Sequence, residues 1–252
     1  MKIYKSPVVD TKHLKENVYL IKIHSPELAA EAKPGQFCNI KVSETGFPLL
    51  RRPFSVADVN GEFICFMFNV TGEGTKLLAH EKLGQILDIL GPLGNGFGYE
   101  GNFENAIIVA GGLGSAPFPF LTRFLKGKKI FSFVGGRSEK DVITYGMENY
   151  KTATDDGSMG FKGNVVQLLE KSIQNIERSK SRIFACGSTP MLKALQEFSV
   201  KYDVDCQIST ECAMACGFGI CQGCNIESTV HEDKYSLVCI DGPVFNSKEV
   251  VL

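Results

Sequence analysis

The chain has 252 residues, of which 44% are hydrophobic, with 27 Lys and Arg against 28 Asp and Glu and a formal net charge of −1. That length suffices for two ordinary cores, and the even mixing of charge argues against electrostatic capture of nucleic acid or of an anionic membrane. No apolar run approaches the roughly 20 residues that span a bilayer.

The opening residues, MKIYKSPVVDTKHLKENVYL, hold no apolar leader segment. The expected home is therefore the cytoplasm, where thiols stay reduced. Nine cysteines, an odd number, then read as metal ligands or catalysts before they read as disulfides.

The first hundred residues read as β structure. NVYLIKIHS (17–25), GQFCNIKVS (35–43), FSVADV (54–59) and EFICFMFNV (62–70) alternate or run apolar, and Gly, Pro and Asn punctuate them. VNGE between the last two is a hairpin signal, because Asn and Gly accept positive φ. GTKLLAHEKLG (74–84) interrupts as a helix, and QILDILGPLGNGF (85–97) ends the region with a strand and a Gly/Pro-rich exit. Short strands at this spacing predict an antiparallel barrel or sandwich over residues 1–100.

From about residue 102 the rhythm changes. Apolar strands NAIIVAGG, KKIFSFVGGRS, RIFACG and DCQIST alternate with the helical segments APFPFLTRFLKG, GNVVQLLEKSIQNI and TPMLKALQEFSVKY. That alternation predicts a doubly wound parallel sheet over residues 101–210. Residues 211–252 carry clustered cysteines and little helical signal, and form a third expected module.

In that module Cys216, Cys221 and Cys224 stand in C-x4-C-x2-C spacing, and Cys239 follows after fourteen intervening residues. This is the plant-type [2Fe–2S] spacing. Gly217, Gly219 and Gly223 would let the loop wrap its thiols and amides around a cluster. A structural zinc stays open, because Cys221 with Cys224, and Cys212 with Cys216, could form two knuckles. On the cluster reading Cys212 is surplus. The segment is too short for a complete ferredoxin domain, so it should dock on the preceding domain and draw folding energy from its metal.

Two segments of the barrel point to a flavin. LLRRPFSV (49–56) offers a guanidinium for a diphosphate, a rigid proline and a hydroxyl. TGEGTKLL (71–78) leads glycines into a helix start. Each alone is weak, since paired arginines by a turn are usually solvated surface.

In the second domain IIVAGGLGSAPF runs strand, glycine turn, helix, a context that suits pyrophosphate, with Gly111, Gly112 and Gly114 at the turn. Glycines after a strand can also merely make the turn. TDDGSMGFKG (154–163), with Asp155, and ACGSTPML (185–192), with Cys186, add two more glycine turns at strand ends. Cys186 is by default a small buried residue; at a strand's carboxyl end it is a candidate catalytic residue bordering a nicotinamide.

The order RPFS, GEGT, GGLGSAP, TDDGS, CGSTPM and the cysteine loop resembles the ferredoxin-reductase superfamily. More closely, ACGFGICQGC followed by VCIDGPVF resembles the electron-transfer subunits of type B dihydroorotate dehydrogenases, over essentially the whole chain. Ser188 stands where that family commonly has proline, and Cys212 is extra.

The resemblance implies FAD held by Arg52, Pro53, Phe54 and Ser55, with Met67, Phe68 and Asn69, then Gly74 and Thr75. It implies Cys216, Cys221, Cys224 and Cys239 as cluster ligands. It further implies NAD, and a separate FMN-bearing catalytic subunit that oxidises dihydroorotate within a heterotetramer. Arg137 and Ser138 against Glu139 leave NAD or NADP open by residues alone. Similar subunits serve bifurcating NADH-dependent ferredoxin:NADP+ oxidoreductases and sulfide dehydrogenases. A different class, a zinc-bearing regulatory module on a reductase-like scaffold, also fits the cysteines.

Overall fold

The architecture was taken from a computed structural model, which describes residues 1–43, 45–230 and 234–252. Six strands close into an antiparallel barrel: β1 (Lys2–Lys15), β2 (Val18–His24), β3 (Phe37–Lys41), β4 (Arg52–Asn60), β5 (Phe63–Asn69) and β6 (Ile86–Leu93), in the order β1-β2-β5-β4-β3-β6. Short helix α1 (Pro26–Glu31) follows β2 and α2 (Glu73–Ala79) follows β5. The barrel interior is apolar, with Ile21, Ile23, Ile40, Ile64, Phe66 and Ile89 fully buried. The VNGE turn joins β4 to β5 as expected, with Gly61 at φ +59 and Asn60 paired to Phe63.

β1 carries no strand pattern in the sequence, yet it closes the barrel. Residues 2–7 pair with β6 and residues 8–15 pair with β2, with a bulge near Val8. In its first half only Tyr4, Ser6 and Val8 face inward, and Pro7 and lysines fill the rest. A strand that bends between two sheets shows little alternation to read.

The second domain is a sheet built from β7 (Asn105–Gly111), β8 (Lys129–Gly136), β9 (Tyr150–Thr154), β10 (Phe161–Lys162), β11 (Ser181–Cys186) and β12 (Asp205–Ser209), with α3 (Phe118–Thr122), α4 (Val165–Ser172) and α5 (Thr189–Tyr202) against it. Neighbouring strands of this set run parallel, in the order β10-β9-β8-β7-β11-β12. α4 starts on a reciprocal cap: Asn164 Oδ1 accepts from Gln167 N at 2.9 Å and Gln167 Oε1 accepts from Asn164 N at 3.0 Å. The expected helix at 116–127 is shorter, a 3-10 turn over Gly112–Ser115 followed by five residues of α3.

Beyond residue 211 come β13 (Asn225–Ser228), β14 (Tyr235–Leu237), β15 (Val244–Asn246) and β16 (Val250–Val251). β14, β13 and β16 make a small sheet, whereas β15 adds antiparallel to β12 at the edge of the large sheet. The segment is therefore stitched into the second domain. Gln196 of α5 donates to Ser247 O at 2.7 Å and to Val250 O at 2.8 Å. Barrel and sheet are joined by Arg123, whose Nε and Nη2 donate to the Asp58 carboxylate at 2.5 and 2.7 Å. Among the described residues no helix is long and apolar enough to cross a membrane.

Candidate functional site

A cleft of about 490 Å3 opens where the barrel meets the carboxyl ends of β7, β11 and β12. From the barrel it takes Arg52, Pro53, Phe54 and Ser55 of β4, Met67, Phe68 and Asn69 of β5, and Thr75 of α2. From the second domain it takes Gly111, Gly114 and Cys186. Segments read separately in the sequence thus form one wall-to-wall site.

The two arginines of LLRRPFSV part company. Arg51 turns away from the cleft and donates to Asp88, at 2.7 Å to Oδ1 and 2.9 Å to the carbonyl. Lys5 reaches the other carboxylate oxygen at 2.7 Å. Burial works to raise the pKa of Asp88, but these two cations win and hold it below the usual carboxylate range. Arg52 faces the cleft, steadied by a bond from Nη1 to Leu50 O at 2.6 Å. Arg52 opens β4 and Arg51 stands just before it, and in an extended chain successive side chains point to opposite sides, which separates the pair.

Gly74 lies behind this surface: a Cβ there would stand 3.0 Å from Val42 and 3.4 Å from Arg52 Nε. Thr75 Oγ1 accepts from the amides of Thr71 at 3.0 Å and Gly72 at 3.2 Å, which fixes the turn into α2.

On the other wall the glycines do more than turn the chain. A Cβ on Gly114 would stand 2.2 Å from the carbonyl oxygen of Cys186, and one on Gly187 would stand 2.5 Å from Met191. The GGLGSAP and CGSTPM loops therefore press backbone against backbone. Burial, with the charge of Glu211 adding to it, pushes the Cys186 thiol up to about 12, although a bond with Ser209 partly offsets this. It stays a neutral thiol near neutral pH. Gly112 and Asp155 do not line the cleft. Asp155 is exposed just beyond β9, donating its amide to Gly136 O at 3.2 Å.

The cleft also includes Ser209, Thr210, Glu211, Cys212 and Met214, none of them singled out as flavin or nicotinamide residues from the sequence. DCQIST reads as a strand, and open α/β sheets bind ligands at their strands' carboxyl ends. That rule was the available signal. The cleft walls desolvate the Glu211 carboxyl and raise its pKa, even though part of the side chain remains open to solvent.

Beside the cleft the four spaced cysteines come together as two pairs. Cys216 and Cys221 lie 3.3 Å apart between sulfurs, and Cys224 and Cys239 lie 3.0 Å apart. Both separations exceed the roughly 2.05 Å of a disulfide, and all nine thiols are free. Cys224 and Cys239 are buried, Cys216 is half-buried and Cys221 is exposed.

Gly217 and Gly219 sit at φ +78 and +87, where glycine is favoured. Gly223 has neither a positive φ nor a crowded Cβ position, so the loop does not require glycine there. Desolvation acts to raise the Cys216 thiol, but the amides of Cys221 and Phe218, the Cys221 thiol and the Ile220 amide together outweigh it and bring it down to about 6. The loop thus aims N–H groups at sulfur, the surroundings an anionic thiolate cluster needs. Two pairs suit two irons with two thiolates each. Asn39 Nδ2 donates to Cys216 O at 3.1 Å, which ties the loop to the barrel.

A closed antiparallel barrel, a parallel sheet and a cleft between them define a reductase of the ferredoxin-reductase class. In agreement, the fold superposes with a TM-score of 0.85 on a solved chain of the NADH-dependent reduced ferredoxin-NADP oxidoreductase, a flavin-based electron-bifurcating enzyme, at 30% identity over 98% of this chain and 89% of that one.

The profile of the iron-sulfur cluster binding domain of dihydroorotate dehydrogenase B matches residues 211–251. The dihydroorotate dehydrogenase B (NAD(+)) electron transfer subunit of Caldanaerobacter subterraneus subsp. tengcongensis is 43% identical over 224 residues, 86% of this chain and 87% of that one. That of Bacillus pumilus is 37% identical over 255 residues, 97% of this chain and 96% of that one. The chain belongs to this family of electron transfer subunits.

Proposed function

We propose that the chain relays electrons between NAD+ and a separate FMN-bearing subunit that oxidises dihydroorotate, using FAD in the cleft and a [2Fe–2S] cluster on the cysteine quartet. The observation that carries the reading is the quartet itself: two thiol pairs, wrapped by amides, directly beside the cleft. Nicotinamides exchange two electrons as hydride and a [2Fe–2S] cluster carries one, and FAD between them supplies both kinds of chemistry.

In this reading Arg52 offsets the charge of the FAD diphosphate, and Pro53, Phe54 and Ser55 with Met67, Phe68 and Asn69 form the flavin's bed. Gly74 gives Arg52 its space, and Thr75 holds the adjoining turn. Gly111 and Gly114 bring backbone close to NAD, and Cys186 borders the nicotinamide as a neutral thiol that shapes the site. Gly112 and Asp155, outside the cleft on the same edge of the sheet, serve the far end of the dinucleotide. Cys216, Cys221, Cys224 and Cys239 hold the metal. The assembly is a cytoplasmic heterotetramer built on a catalytic dimer, and the exposed Cys221 side of the loop faces the partner.

Co-expression with the candidate FMN subunit, followed by anaerobic purification, tests this. The expected product is a brown complex with FAD, FMN and two irons per copy of this chain, coupling dihydroorotate oxidation to NAD+ reduction. The chain alone should reduce a dye with NADH and leave dihydroorotate untouched. A colourless zinc protein would sink the reading. Capture of a larger, multi-cluster partner in place of the FMN subunit would favour the ferredoxin-NADP oxidoreductase role that the 30% identical structure suggests.

A further inference from the structure

We propose that Asn39 is a positioning residue that sets the cysteine loop against the flavin bed, and so governs how fast single electrons pass between the two. Its strand, β3, alternates: Cys38 and Ile40 pack into the barrel core, whereas Phe37 packs outward into a core that also holds Ile107, Val109 and Cys224. Asn39 shares the outward side with Phe37 and is only 1% exposed. Its Nδ2 donates to the carbonyl of Cys216 at 3.1 Å. The opposite amide orientation would set oxygen against oxygen. The fit is equally close from the loop's side, since a Cβ on Gly217 would stand 2.0 Å from the same Nδ2.

Behind Asn39 runs the segment that forms the flavin's bed. In the ladder between β3 and β4, Phe37, Cys38, Asn39 and Ile40 stand opposite Ser55, Phe54, Pro53 and Arg52. One residue thus meets the bed through its backbone and a ligand cysteine through its amide. Local structure does not call for asparagine here. The type is depleted in strands, and burying its amide with Oδ1 unpartnered costs stability that an apolar residue would not. Asn95 makes a similar tie to the segment after Cys239, donating from Nδ2 to Ile240 O and Asp241 O at 3.1 Å each. Asn95 is exposed, so water can take over its bonds, but Asn39 is closed off from solvent and has no such substitute. The step concerned moves one electron between reduced FAD and the oxidised cluster; no bond forms or breaks, and the flavin keeps its proton. The inference rests on reading the quartet as cluster ligands and the cleft as the FAD site.

The test uses the whole chain, purified anaerobically with its cofactors, as wild type, Asn39→Leu and Asn95→Ala. Leucine fills the volume of asparagine without a donor. Four properties are measured: hydrogen exchange of the loop amides from 216 to 221, FAD reduction by NADH in stopped flow, the cluster bleaching that follows, and the cluster's midpoint potential by EPR titration. Asn39→Leu should keep FAD, iron, the midpoint potential and the rate of FAD reduction. Its loop exchange should rise, and its cluster bleaching should slow about tenfold or more. Asn95→Ala should change both much less. Wild-type exchange and bleaching in Asn39→Leu overturn the inference. So does slower bleaching matched by a shifted midpoint potential, which would mark a change in driving force, and so does equal slowing in Asn95→Ala. Loss of the cluster from Asn39→Leu, with wild type intact, would make Asn39 part of what builds the site and overturn its role in placement. Should Asn39→Leu fail to fold, Asn39→Ala, which removes the donor without crowding, carries the same predictions. Absence of FAD or cluster from the wild type would overturn the underlying assignment together with the inference.

Discussion

In the barrel six strands close on one another around side chains such as Ile40, Phe66 and Ile89, all fully buried. In the segment from residue 211 the small sheet has strands of four, three and two residues, and its buried side chains are few: the thiols of Cys224 and Cys239 beside residues such as Val238 and Val250. A closed ladder leaves no edge and buries enough apolar surface to stand without a ligand. Short strands around thiols cannot, and lean on the neighbouring sheet through β15 and on whatever metal the thiols bind. The comparison teaches that one chain can carry two candidate sites with different origins of order. The cleft should persist without a ligand, and the cysteine loop should loosen without metal.

The strongest way to break this contrast is to remove the metal. Cys239→Ser, or chelation of wild type, should abolish the cluster's visible absorption and its EPR signal. FAD content and barrel melting should remain near wild type. Loss of FAD from the same samples would show that the two regions are not separately ordered.

Next in size is the converse experiment. Phe66→Ala, at a fully buried barrel position, should cost about 4 kcal/mol from lost burial and the cavity left behind. Thermal unfolding followed by circular dichroism should show a large fall in Tm, with FAD released alongside. At temperatures below the new transition the cluster absorption should be unchanged.

The smallest effect separates two adjacent arginines. Arg51→Ala removes bonds to the partly buried Asp88 and should cost about 2 kcal/mol at neutral pH, with FAD affinity nearly unchanged. Asp88 has its folded pKa depressed, so its contribution is full above the ordinary value of about 4 and fades as pH falls below it. The gap between wild type and Arg51→Ala in denaturant titrations should therefore narrow from pH 7 to pH 3. Arg52→Ala should do the reverse, weakening FAD about tenfold or more while leaving Tm close to wild type. Equal effects at both positions would mean that strand alternation does not divide their roles.

Much of this was legible in the chain. The hairpin at VNGE, the buried parallel strands and the glycine turns depend on residues close in sequence, so local pattern reveals them. β1 was not, because a bent closing strand with Pro7 and several lysines has no clean alternation. β9 was missed for a similar reason: YKTAT is five residues with only its end buried. The cleft's contribution from Ser209 to Met214 was hidden because those residues face the barrel across a gap that no spacing encodes.

By itself the sequence determined the class of metal chemistry on offer, since C-x4-C-x2-C places three thiols within nine residues. It also determined the division into a β half and an α/β half, through the change in hydrophobic period. Only the tertiary structure decided which thiol pairs with which, that Arg52 and not Arg51 faces the cleft, that Cys212 lines it, and that β15 bridges the last segment to the large sheet. Period and spacing are properties of neighbours along the chain. Pairing, facing and bridging depend on how distant segments meet, and barrel closure and the docking of β15 set that meeting.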